Sequence, residues 1–117
     1  MRHVLLTLLL GALLLPGCSA QPTAAAGTAR VVKAIGSLQC SGGGTPLPVL
    51  SRQLEDAGVT VIAARCGNDG RMHAARCGGA DGRIGIFEIP ASATPAAEKL
   101  GFVALAKLPD AQATPCP

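Results

Sequence analysis

The residues best suited to chemistry lie in residues 64–83, ARCGNDGRMHAARCGGADGR, which give one pattern twice. Each copy contains Arg-Cys-Gly followed by Asp-Gly-Arg, with the cysteines at Cys66 and Cys77 and a histidine, His73, between them. Thiol, imidazole, carboxylate and guanidinium groups in this order suit a metal site, an anion-binding loop or a disulfide-pinned hairpin. The rest of the sequence indicates which of the three to expect.

The number of cysteines favours disulfides. Besides Cys18 the chain has four, Cys40, Cys66, Cys77 and Cys116. In a small domain, if it is exported, an even number of cysteines indicates two disulfides, for which three connectivities exist. Because Cys66 and Cys77 are nearest in sequence, we expect Cys66–Cys77 and Cys40–Cys116, the second holding the C-terminal tail. The repeated Asp and Gly then reflect two tight turns, which both residue types favour.

Metal binding is the rival interpretation of the same stretch. Zinc sites usually bring ligands in pairs about two to four residues apart, whereas the spacing here is Cys66-x6-His73-x3-Cys77. An oxidising compartment would also remove the thiolates. Calcium loops need several carboxylates, and each Gly-rich turn here contains one, Asp69 or Asp81. We therefore expect no metal and no other cofactor.

The same stretch contains four arginines within a span of nineteen residues: Arg65, Arg71, Arg76 and Arg83. Guanidinium groups suit carboxylates and phosphates, so arginines that share a face would form an anion-binding site. Arginines that scatter would instead be solvated, with Arg–Asp pairs that contribute little.

Catalysis is not expected from this inventory. His73 is the only histidine beyond the N-terminal segment, so any Ser-His-Asp arrangement depends on it. Bonded cysteines supply no thiol nucleophile. Without Arg2, nine basic and seven acidic residues give a charge of about +2, which is too weak to indicate a nucleic-acid partner.

Apolar spacing predicts the elements that position these residues. Strands are expected at residues 31–35, 59–64, 83–89 and 102–106, and helices at residues 46–58 and 95–100. Leu47, Leu50, Leu54 and Ala57 share one face of the first helix. Residues 71–76 have weak propensity for a returning strand or a helical turn. The order predicts an α+β domain with a ferredoxin-like βαββαβ antiparallel sheet, two helices on one face and a disulfide-pinned connection between the second and third strands.

The N-terminus has the organisation of an export signal. Arg2 is followed by an apolar run of twelve residues, 4–15, which only Thr7 and Gly11 interrupt. This run is too short to span a bilayer as a helix, which takes about 20 residues. The segment ends in Leu-Pro-Gly-Cys18, with an apolar residue three positions before the cysteine and a small residue directly before it. It resembles the lipobox of bacterial lipoproteins.

The lipobox resemblance implies cleavage before Cys18 and acylation of that cysteine, with chains such as palmitate anchoring the protein to a membrane. Ser19, rather than Asp, implies the outer membrane, facing the periplasm. The expected organisation is a signal peptide at residues 1–17, a flexible tether at 18–29 and a small disulfide-stabilised domain at 30–117.

A second resemblance covers about seventy-five residues. Ile35-Gly36-Ser37-Leu38, the predicted helix that ends at Gly58 and the strand at residues 83–87 occur in the order seen in SPOR domains. These are small βαββαβ modules that bind peptidoglycan. The second predicted strand lacks the Gly-Pro-Phe of the SPOR family, and the four cysteines are not a feature of that family.

Two functions follow as expectations. The first is a non-catalytic envelope lipoprotein whose domain is an accessory or interaction module for a protein partner. The alternative is a module that binds an anionic peptidoglycan or lipopolysaccharide group through the four arginines. The two differ in whether the arginines converge on one cleft.

Overall fold

Five antiparallel strands form one sheet in the computed structural model, which describes residues 17–18 and 27–117. The strands are β1 (Thr28–Ala34), β2 (Ala63–Asn68), β3 (Arg83–Pro90), β4 (Val103–Ala104) and β5 (Gln112–Ala113), in the spatial order β4-β1-β3-β2-β5. The helices are α1 (Leu47–Asp56) and α2 (Thr94–Lys99), with 3-10 turns at Ala91–Ala93 and Leu105–Lys107. The predicted α+β class is confirmed. The predicted signal peptide and tether lie almost wholly outside the described residues, and within these no helix is long and apolar enough to cross a membrane.

Both helices contribute to one core on the same face of the sheet. Leu50 and Leu54, one turn apart on α1, are fully buried there, and Ala97 joins them from α2. They pack with sheet and loop residues that are at most 2 % exposed: Val31, Val59, Phe87, Ile89 and Phe102. The face predicted for α1 is confirmed at Leu50 and Leu54, with Leu47 partly buried beside them, whereas Ala57 lies beyond the end of the helix and is exposed. We call this side the helix face.

The opposite side of the sheet carries a smaller apolar cluster. Val32, Ile84 and Ile86 are buried there, and Leu105, Leu108 and Ala111 pack against them from the segment that joins β4 to β5. We call this side the helix-free face. Because side chains alternate along a strand, β3 supplies Phe87 to one cluster and Ile86 to the other.

A glycine in β3 lets α1 approach the sheet. A Cβ placed on Gly85 would lie 2.9 Å from Leu47 Cδ1 and 2.7 Å from the ring of Phe87. No side chain fits between them, so the start of α1 contacts the sheet backbone here.

Several expectations about the strands need correction. β2 begins at Ala63 rather than residue 59, because Val59 is buried in the core beneath α1 and the chain enters the sheet only afterwards. The last predicted strand has only two paired residues, and residues 71–76 form neither strand nor helix. β5 was not predicted, and β1 starts at Thr28, two residues before the expected domain boundary, because its backbone pairs with β3 there.

A lysine on the helix face joins α1 to the end of α2. Lys33 Nζ donates to Gln53 Oε1 at 3.1 Å and to the Leu100 carbonyl at 2.8 Å, and it lies 5.0 Å from the centroid of the Phe102 ring. We expect Lys33→Met to lower the free energy of unfolding by about 1–3 kcal/mol, because it removes the two charge-assisted hydrogen bonds and the cation–π contact. Lys99→Met, at an exposed position of α2, is the matched control for urea denaturation. Equal losses in the two variants would contradict the role of Lys33.

Candidate functional site

The two Asp-Gly-Arg copies fold into the same turn. Asp69 Oδ1 accepts the backbone N–H of Arg71 at 2.9 Å, and Asp81 Oδ1 accepts that of Arg83 at 3.0 Å. The glycine of each copy has positive φ, +72° and +79°, which glycine adopts at little cost. The turns lie side by side, since the Asp69 N–H donates to the Gly82 carbonyl at 2.9 Å. The prediction that the duplication encodes two turns is confirmed.

The disulfides connect the cysteines in a different way from the expected one. Cys40 bonds Cys77, and Cys66 bonds Cys116, so the prediction of Cys66–Cys77 and Cys40–Cys116 is wrong. Cys66 lies within β2, opposite Gly85, and points to the helix face, whereas Cys77 follows a long excursion away from the end of that strand. Nearness in sequence therefore does not bring the two sulfurs together. The C-terminal tail is still held, but to β2.

We call the two Asp-Gly-Arg turns the twin turns. The segment that begins with the first and ends in the second, residues 69–82, is the pinned loop. It connects β2 to β3 and has no helix or paired strand of its own. Its Cys77 is bonded to Cys40, which is the only described residue other than glycine with positive φ, +73°. A disulfide-pinned connection between the second and third strands is thus present, but it is fastened to the loop between β1 and α1 rather than closed on itself.

Gln39 holds the pinned loop with every polar group it has. Its Nε2 donates to the carbonyls of Ala74 and Ala80 at 2.8 and 2.9 Å, and its Oε1 accepts the Arg76 N–H at 3.0 Å. Its backbone N–H donates to the Gly79 carbonyl, and its own carbonyl accepts the Gly78 N–H. A single glutamine in a predicted loop carries no signal of this role in the sequence.

His73 contacts a carboxylate at the base of the pinned loop. Its Nε2 lies 2.9 Å from Asp69 Oδ2, and the two side chains are 27 % and 15 % exposed. The rival zinc set of Cys66, His73 and Cys77 does not converge, because each cysteine is bonded elsewhere. Within the described residues no three metal-ligating side chains form a group. The contact that the structure shows for His73 is the one with Asp69, in the first of the two turns.

The structure separates the four arginines. Arg65 is opposite Ile86 on the helix-free face, where it lines a cavity of about 140 Å³ with Arg30 and Glu88. Arg83 lines a different cavity on the helix side. The other two, Arg71 and Arg76, are exposed on the pinned loop. Because side chains alternate along strands, arginines at the ends of the duplicated stretch point to opposite sides of the sheet.

Comparison of the chain with protein-family models, with curated proteins and with solved structures found no match.

The larger cavity lies where the C-terminal tail meets the start of α1, and we call it the tail cavity. It has a volume of about 460 Å³. Its walls are mostly apolar and include Ile35, Leu47, Pro117 and the Cys66–Cys116 disulfide, with Arg83 as the one ionisable side chain. No local pattern predicts this cavity, because its walls come from four separate parts of the chain.

Asp81 accepts the hydrogen bond that forms the second turn, and its carboxyl group is held in the charged form. Burial by itself raises the pKa of this carboxyl, but the hydroxyl of Ser37, which donates at 2.9 Å, together with the N–H and guanidinium of Arg83, lowers the pKa below its ordinary 3.8. Ser37 is itself 3 % exposed, so the bond ties two loops in a partly buried place. The same carboxylate accepts two hydrogen bonds that both favour its charged form.

The lowered pKa makes Asp81 a source of acid sensitivity. A carboxyl whose folded pKa lies below its unfolded pKa stabilises the fold at pH values above the unfolded pKa, and this contribution is lost as pH falls through the folded pKa. We expect the melting temperature of the wild type to fall more than that of Asp81→Asn between pH 6 and about pH 3. Thermal unfolding by circular dichroism across this range measures the difference. Parallel curves for the two proteins would show that Asp81 does not contribute in this way.

Proposed function

We propose that this chain is a non-catalytic, lipid-anchored protein of the bacterial envelope whose domain is an interaction module for a protein partner. The observation that carries the proposal is the pinned loop. Every residue from 71 to 78 is exposed, and Met72 is 100 % exposed, yet the loop is held by a disulfide and by Gln39.

Holding this exposed loop in place adds little to the stability of the hydrophobic core. Fixing the backbone costs about 1–2 kcal/mol per residue, and exposed side chains do not offset that cost by burial. The same rigidity lowers the entropic cost of binding, because the contacting residues are already ordered. Methionine also suits a contact surface, since its flexible thioether adapts to a partner. These properties support presentation of the segment around Met72 to another protein.

The anchor is proposed from the N-terminal resemblance together with the cysteine pairing. Four cysteines satisfy one another in two disulfides, and Cys18 is free and exposed. Acylation of Cys18 at the lipobox then attaches the protein to a membrane. Ser19 supports the outer membrane and two disulfides are consistent with the periplasm, an oxidising compartment.

Site-specific crosslinking in intact cells tests the protein-partner proposal. A photoreactive residue at position 72 should give a discrete adduct with an envelope protein. The matched control is position 49, because Val49 is 45 % exposed and belongs to α1 rather than to the pinned loop. The adduct should also be lost when Cys40→Ala and Cys77→Ala unfasten the loop. No adduct at 72, or the same adduct at 49, would overturn the proposal.

The second candidate is binding of an anionic peptidoglycan or lipopolysaccharide group. Arg71 and Arg76 favour it, since both are exposed on a held backbone and neither lies within 4.0 Å of a carboxylate among residues 27–117. The order of elements shared with SPOR domains supports peptidoglycan. Arg65 and Arg83 contribute to it less, because they line separate cavities.

Retention on purified peptidoglycan sacculi tests the second candidate. Binding through arginines should weaken as salt rises and should be lost in Arg71→Ala with Arg76→Ala. Arg52→Ala, at an exposed position of α1, removes a charge elsewhere and should have little effect. Absence of retention at low salt, or an equal loss with Arg52→Ala, would reject this candidate.

We also propose the ferredoxin-like assignment for the part of the sheet formed by β1 to β4. β1 and β2 are both antiparallel to β3, which lies between them, so the unit β1-α1-β2 is a split βαβ unit. β4 pairs with the other edge of β1. β5 extends the sheet beyond this four-stranded plan on the β2 side.

A further inference from the structure

The tail cavity has the size and lining of a site for a small ligand. Cavities that bind small molecules are typically about 300–1,000 Å³, mostly apolar, and carry a few polar groups that orient the ligand. The tail cavity measures about 460 Å³, and apolar carbon atoms of Ile35, Leu47 and Pro117 form much of its wall. The disulfide Cys66–Cys116 holds the tail side of the wall in place.

One guanidinium group, that of Arg83, lines this cavity, and it is paired with a carboxylate only on its Nε side. Arg83 is 48 % exposed, and its only described acidic neighbour within 4.0 Å is Asp81, whose Oδ2 lies 3.6 Å from Nε. Asp81 already accepts the Ser37 hydroxyl and the Arg83 backbone N–H through Oδ1. No side-chain hydrogen bond joins the terminal nitrogens of Arg83 to any residue in the described range 27–117, so they are free to donate to a ligand.

We propose that the tail cavity binds a small amphipathic carboxylate, with its carboxylate on the guanidinium of Arg83 and its hydrocarbon chain against Ile35 and Leu47. A carboxylate suits this position, since Arg83 is the only ionisable side chain in the lining and its terminal nitrogens form no side-chain hydrogen bond within residues 27–117. The planar guanidinium can donate two parallel hydrogen bonds to a carboxylate. The apolar wall selects a hydrocarbon chain over a sugar or a free phosphate.

Titration with butanoate, hexanoate and octanoate tests the site in the full chain carrying Cys18→Ser, with both disulfides formed. Backbone amide shifts should saturate at residues that line the tail cavity, such as Ile35, Gly43 and Arg83, and stay unchanged in the pinned loop at Met72. Affinity should rise by about fourfold for each added methylene, because each buries a further CH₂.

Arg83→Gln separates the contributions of charge and chain. It should weaken hexanoate binding about tenfold or more, because a charge-assisted hydrogen bond is lost, and leave hexan-1-ol binding unchanged. The fold can be checked in the same spectra, since the backbone bond from the Ile35 N–H to the Arg83 carbonyl needs no side chain.

Three results would overturn the proposal. The first is the absence of any saturable shift with octanoate. The second is shifts of equal size on the helix-free face, at Arg30 and Arg65. The third is equal affinity for hexanoate in the wild type and in Arg83→Gln. None of these would bear on the partner proposed for the pinned loop, because that test reads Met72, which lies outside the tail cavity.

Discussion

Replacing Phe87 with alanine is expected to lower the free energy of unfolding by about 3–5 kcal/mol. Phe87 is 0 % exposed in the core of the helix face, where its ring meets that of Phe102 edge to face, with centroids 5.5 Å apart and planes at 82°. The variant loses the burial of a whole ring, leaves a cavity between the sheet and α1, and ends the aromatic contact. Against a total stability of about 5–15 kcal/mol for a domain, this loss is large.

Urea denaturation followed by far-ultraviolet circular dichroism measures the effect, because the chain has no Trp or Tyr for fluorescence. Phe87→Leu retains most of the apolar volume and should cost clearly less than Phe87→Ala. Ile62→Ala, at a side chain that is 52 % exposed, should change stability by about 0.5 kcal/mol or less. A loss for Phe87→Ala as small as that for Ile62→Ala would contradict the core assigned to the helix face.

Removal of the Cys66–Cys116 disulfide is expected to cost about 4 kcal/mol, because the bond closes a loop with a sequence separation of 50 and restricts the unfolded chain. The double variant Cys66→Ala with Cys116→Ala tests this. Alanine suits position 66, since Cys66 is 7 % exposed and a serine hydroxyl there would be buried. The expected result is a lower urea midpoint than in the wild type.

Amide hydrogen exchange shows where each disulfide acts. Without Cys66–Cys116, the Thr114 N–H, which donates to the Cys66 carbonyl, should exchange faster, while the Gly78 N–H in the pinned loop stays protected. Cys40→Ala with Cys77→Ala should give the reverse pattern, because that bond fastens the pinned loop to Cys40, next to Gln39, whose carbonyl accepts the Gly78 N–H. Faster exchange at both amides in both variants would show that the two disulfides do not act locally.

The elements that could be predicted are those that depend on residues close together in the sequence. Leu50 and Leu54 lie one turn apart, and this spacing alone located α1 and its buried face. The run of apolar and β-branched residues located β3, which is buried on both sides. The twin turns were also predictable, because Asp and Gly have turn preferences that hold without tertiary contacts.

The features that could not be predicted depend on contacts distant in sequence. Disulfide connectivity depends on which way a strand residue points, and Cys66 points to the helix face beside Gly85 rather than toward the excursion that carries Cys77. The start of β2 was misplaced because Val59, a good strand former, is used in the core before the strand begins. Gln39 acts through five hydrogen bonds to the pinned loop, and no local pattern encodes these.

Peptide mapping of the unreduced protein, digested with trypsin after denaturation and thiol blocking, tests whether the pinned loop is fastened to the loop between β1 and α1. Cleavage after lysine and arginine places each domain cysteine in its own peptide: residues 34–52, 66–71, 77–83 and 108–117. The structure predicts that 34–52 is joined to 77–83 and that 66–71 is joined to 108–117. A bond between 66–71 and 77–83 would mean a loop closed on itself, and would contradict the account.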